Sequence, residues 1–84
     1  MQEVLAEETS LLAIRINAEL NRHLIKLQSQ LGTAEFQKYR RGFGEVMGAL
    51  LIEVVNPIYS EHPKLKPIQM GGPYVVPAEV LGSE

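Results

Sequence analysis

The first 31 residues contain neither proline nor glycine, and they carry apolar side chains on two sides. At about 100° per residue, Leu5, Leu12, Ile16, Leu20, Leu24, Leu27 and Leu31 fall on one side of a helix. Val4, Leu11, Ile14, Ala18 and Ile25 fall on nearly the opposite side. Arg15, Glu19 and Lys26 share one flank between the stripes, and Asn17, Asn21 and Gln28 share the other. A helix on the surface of a globular domain shows one apolar stripe. Two stripes predict a helix held between two neighbours. With 84 residues there is room for one domain and for one further long helix. The second neighbour is therefore expected from another copy of the chain or from another protein.

That partner helix is predicted from Thr33 onward. Gly32 stands where a helix C-cap glycine belongs, and Thr33 is a plausible N-cap after a short connection suited to antiparallel helices. Phe36, Tyr39, Phe43, Val46, Met47, Leu50, Val54 and Ile58 form one stripe; Ile52, Val55 and Tyr59 form a narrower one beside Gly44 and Gly48. Pro57 removes a helix hydrogen bond, so a kink or a short break is expected near it. From Pro63 the pattern ends. Pro63, Pro67, Gly71, Gly72, Pro73 and Pro77 exclude a long helix or a central strand, while Ile68, Met70, Tyr74, Val75, Val76, Val80 and Leu81 make the segment too apolar for a solvated linker. It is expected to lie extended over a helical surface, its own or a neighbour's, with one helical turn available at Pro77 to Leu81.

The fold these features predict is all-α: an antiparallel hairpin with helices at about 3–31 and 34–59, then an extended tail at 63–84. The organisation divides into a hairpin at 1–62 and that tail. A chain this short buries only about 60% of its unfolded surface and normally gains stability from disulfides, metals or association. There is no cysteine, so disulfides and thiolate metal sites are excluded, and the second apolar stripe points to an oligomeric bundle, a homodimer or higher. The cysteine-free composition fits a reducing compartment. Glu3, Glu7 and Glu8 stand where a secretory leader would be basic and then apolar. The longest apolar run, Val46 to Ile52, is seven residues long, against about 20 for a membrane span. A soluble, cytoplasmic chain is the expectation.

Chemistry-bearing motifs are few. The chain has no aspartate, which removes Ser-His-Asp triads and aspartyl dyads. The run GFGEVMG lies in a helical stripe and lacks the Lys-Ser/Thr of a phosphate loop. Glu19 and His23 have the spacing of two metal ligands on one helix face, and also that of a solvated charge pair. His62 falls at a helix end, where it can meet the last carbonyls. No catalytic residue, metal or cofactor is assigned, and the reading is of a protein that is not an enzyme.

Three glycines, at 42, 44 and 48, lie inside the second helix, each costing about 0.8–1 kcal/mol relative to alanine. The spacing of Gly44 and Gly48 allows close approach of two backbones. They join Leu11, Ile14, Ala18, Ile25, Ile52 and Val55 as the residues expected at a subunit interface. The alternative site is basic. Net charge is −2 overall, yet residues 1–14 carry −3, 15–41 carry +4, 42–62 carry −3 and 63–84 carry zero. Lys38, Arg40 and Arg41, with Arg22 and Lys26 brought alongside in a hairpin, could bind an anion or nucleic acid. The preferred reading has them meet the acidic open end of a second copy, which carries Glu3, Glu7, Glu8, Glu53 and Glu61, because it needs no further molecule and also covers the second stripe.

The segment KYRRGFGEVMGALLIEVVNPIYSEHPKLKP, residues 38–67, resembles stretches in small uncharacterised helical proteins of bacteriophages and prophages. The resemblance implies a phage or bacterial setting, in a bacterial host's cytoplasm or in a virion, and a part in a larger assembly. The functional expectation is a structural or adaptor protein acting through helix association and tail docking, with a small nucleic-acid-associated regulator as the alternative.

Overall fold

Two long helices laid side by side make the frame, and the tail folds back across one of them. The structure is a computed structural model describing residues 1–82. Helix α1 runs Glu3–Gln30 and α2 Thr33–Ala49; a π-helical turn, Leu50–Val55, leads into α3, Asn56–Glu61. Two 3-10 turns, Pro63–Leu65 and Ile68–Met70, precede a last short helix, α4, Ala78–Leu81. The chain is all-α, as the periodicity predicts.

Several local expectations are corrected. Helix α1 ends with Leu31 extended as its C-cap, and Gly32, not Thr33, caps α2, again in extended geometry. The connection therefore needs no left-handed glycine. The irregularity expected near the proline falls just upstream of it, and the backbone stays helical through Pro57. Its missing N–H and the clash of its ring with the Glu53 carbonyl would disturb an α-helix. The chain instead widens just upstream, where the Asn56 N–H reaches back to the Leu51 carbonyl. A π turn holds more residues than an α turn, so it rotates the segment beyond it. Val55, Ile58 and Tyr59 thereby come to face the core, while Ile52 points out. Val55, expected at a subunit interface, is 4% exposed and internal.

The tail is compact, not extended. Between Lys66 and Tyr74 it closes a loop: the Tyr74 N–H donates to the Lys66 carbonyl and the Ile68 N–H to the Tyr74 carbonyl, both at 2.9 Å. Gly71 turns the loop at φ 87°, a conformation side chains rarely adopt. A Cβ at Gly72 would run into the Lys66 carbonyl oxygen. The expected helical turn near Pro77 is present as α4. The last two residues of the expected tail lie outside the described residues.

The core sits at the open end of the hairpin. Ala6 and Ala13 of α1 meet Val55, Ile58 and Tyr59, with Leu65 of the tail completing the cluster. Small residues on α1 let the second helix approach there. Toward the connection at Leu31 the fold thins to two layers, and no residue of α2 is buried.

Candidate functional site

Helical phase and contacts together define two sides of the hairpin. On one side the tail lies against α1. Tyr74 donates its hydroxyl to Glu7 Oε2 at 2.6 Å, and Arg22 Nη1 donates to the Leu81 carbonyl at 3.1 Å. Under this strap Leu11, Ile14 and Ala18 become half-buried. The second stripe of α1 is thus covered in large part by the chain's own tail, which corrects the expectation that another copy must supply that neighbour. A small apolar cavity of about 140 Å³ remains between Ile14, Pro67, Met70 and Leu81. Val4 and Ile25, at the two ends of the stripe, stay exposed.

The other side is bare. Leu5, Leu12 and Ile16 on α1 are 50%, 52% and 37% exposed, and Tyr39 and Val46 on α2 are 42% and 57% exposed. Tyr39 and Val46 were expected in the buried stripe. Nothing among the described residues covers them, because the tail is used on the opposite side. The His23 and Phe43 rings, stacked with centroids 6.4 Å apart, mark where α1 and α2 meet along this face. His23 is thereby placed on an aromatic ring, and no group of three potential metal ligands forms among the described residues.

The overall dimensions agree with an uncovered side. The radius of gyration is 14.4 Å, against about 12 Å for a compact chain of this length. The accessible surface is 5842 Å², against about 5,000 Å² for a compact monomer. The surplus of about 800 Å² equals one partner's share of a standard protein interface. No large side chain among the described residues is fully buried.

The basic residues divide. Arg40 and Arg41 line an open groove of about 440 Å³ with Asn21, Leu24, Gln37, Gly44 and Met47. Arg22 and Lys26 belong to a separate hollow with Glu19 and His23, and Arg22 is engaged with the tail. Lys38 lies over the Tyr39 ring at 5.9 Å. The five cations expected to act together therefore occupy different surfaces. In the groove, Arg40 meets only the Gln37 amide oxygen at 3.5 Å, and Arg41 pairs loosely with Glu45 at 3.8 Å.

The glycines find no close neighbour: a Cβ at Gly42, Gly44 or Gly48 would meet nothing within 4 Å. Among the described residues, the tight backbone crossing expected at Gly44 and Gly48 has no partner. His62 Nε2 lies 2.8 Å from the Met1 carbonyl, at the helix end where it was expected to find a carbonyl, though the carbonyl belongs to the N-terminus and not to its own helix.

Sequence reading missed two pairs, Ser10 with Tyr59 and Glu7 with Tyr74. The hydroxyls of Ser10 and Tyr59 share a buried hydrogen bond of 2.6 Å. Burial raises the Tyr59 phenol above its ordinary value, partly offset by Ser10. The only signal available was a lone serine between Ala6 and Ala13 in register with the buried face. Both pairs tie chain segments together and present no reactive group to a cleft. Among the described residues no helix is long and apolar enough to cross a membrane. No family model, curated protein or solved structure matches this chain.

Proposed function

We propose that this protein is a non-enzymatic structural or adaptor component that works by helix–helix association, first of all with itself. The observation that carries the reading is the bare face formed by Leu5, Leu12, Ile16, Tyr39 and Val46. A contiguous apolar surface of this kind marks an interaction site, and it lies where the fold lacks a third layer. The tail's role in this reading is to close the opposite side of α1, which directs association to one face. The likeness of residues 38–67 to small phage proteins points the same way, toward a component of a larger assembly in a bacterial cell or a virion. Light scattering at two concentrations well apart tests the reading. A mass above that of the monomer, falling on dilution, is expected; a monomer at every concentration would overturn self-association.

A second reading rests on the Arg40 and Arg41 groove, which no acidic side chain lines. A nucleic acid or another phosphate-bearing partner could seat there. Fluorescence anisotropy with a labelled oligonucleotide, at low and moderate salt, separates the two. Binding that weakens steeply with salt and vanishes in the Lys38/Arg40/Arg41 triple alanine variant would favour this alternative.

A further inference from the structure

The bare face of α1 has a symmetry that names its occupant. Leu5 and Leu27 stand equally far from Ile16 along the chain, and so do Leu12 and Leu20. At about 100° per residue these positions fall within one stripe centred on Ile16. Leu5, Leu12 and Ile16 are its open part, and Leu20 and Leu27 are half-buried at its edge toward α2. Beside the stripe runs a charged flank of Glu8, Arg15, Glu19 and Lys26, all exposed and none in an ion pair among the described residues. These charges are symmetric about Asn17: Glu8 mirrors Lys26, and Arg15 mirrors Glu19. Every mirrored pair joins opposite signs.

We infer that α1 packs against α1 of a second copy in antiparallel fashion, about a two-fold axis passing near Ile16 and Asn17. In that arrangement Leu5 meets the neighbour's far end of the stripe and Ile16 meets its own copy. Each glutamate of the flank meets a base of the other chain. A parallel two-fold arrangement would instead place the two charged flanks on opposite sides of the seam, where these charges could not meet. A two-fold interface is isologous, so one self-complementary stripe suffices for both subunits. The apolar stripe supplies the burial, and the surplus surface of the monomer is of the size that such an interface removes. The charges fix direction and register more than strength. This inference rests on the self-association reading and adds the face, the polarity and the register.

The absence of cysteine makes the test direct. Glu8→Cys and Lys26→Cys are introduced separately into the full chain, and each is treated with a short bis-maleimide alone and after mixing. Covalent dimer in the mixture, with little in either variant alone, is expected. Efficient self-cross-linking of Glu8→Cys would overturn the antiparallel register. Ile16→Glu reads the same interface independently. Because Ile16 is already 37% exposed, the helical circular dichroism should be retained while dimerisation weakens at least tenfold. A dimer indifferent to Ile16→Glu and without the mixed cross-link would overturn this arrangement and leave self-association standing. A wild-type monomer at every concentration would overturn both.

Discussion

Two tyrosines fasten separate segments to α1, and they do so by different chemistry. Tyr59 reaches Ser10 in a buried site. Removing one partner of a buried hydrogen bond strands the other, whereas removing both together is far less damaging. Tyr59→Phe should therefore cost about 1–2 kcal/mol in denaturant unfolding. Combined with Ser10→Ala, the loss should fall short of the sum of the two single effects by at least about 0.5 kcal/mol. Tyr74 is the other kind. The hydrogen bond it donates to the Glu7 carboxylate, with some burial and the Glu7 charge, pushes its phenol up to about 12. In the unfolded chain a tyrosine titrates near about 10. A group with a raised folded pKa contributes fully below its unfolded value and loses that contribution as pH climbs toward its folded one. Stability should thus decline between about pH 10 and about pH 12. Tyr74→Phe should remove this part of the decline, which unfolding midpoints measured across that window would show.

At the level of elements, the glycines separate into two groups that behave in opposite ways. Gly72 lies against the Lys66 backbone, and a methyl group there collides with a carbonyl that cannot swing away. Gly72→Ala should open the loop from Lys66 to Tyr74, detected as faster amide exchange and proteolysis in that stretch. Gly42 and Gly44 lie in α2 with free space around them. If no second chain presses on that side, alanine at either position should stabilise the helix by about 0.8–1 kcal/mol and leave the dimer intact. The same substitutions at a tight intersubunit crossing would weaken association instead. The π turn at Leu50–Val55 belongs at this scale too, since it lets a proline sit within a continuing helical path and resets which residues face inward.

For the whole molecule, the tail is a third layer laid on only one side. Leu65, Val76 and Val80 are buried in it, and they shelter the second stripe of α1. Deleting residues from 63 onward should lower the melting temperature and expose Leu11 and Ile14. The shortened chain should then form larger, less defined assemblies in size-exclusion chromatography. The intact chain, with one side closed, should stop at a defined oligomer. On the proposed reading, the asymmetry between a covered side and a bare one would make a short hairpin a directional building block.

Much of the helical frame was legible in the residues themselves. The lack of proline and glycine before Gly32, the period of the leucines and the short connection set two antiparallel helices, because local backbone preference and periodicity act within one helix. The two-sided greasiness of α1 was equally visible, as was the change of character at Pro63. Which partner covers which side could not be read there, because Tyr74, Leu81 and their α1 contacts Glu7 and Arg22 are brought together only when the chain folds back. The inward turn of Val55 was hidden for a related reason: a π turn changes the phase, and a uniform helical count carries the old phase past it. Periodicity thus determined what had to be covered. The path of the tail decided that one side is satisfied within the chain and the other is left open.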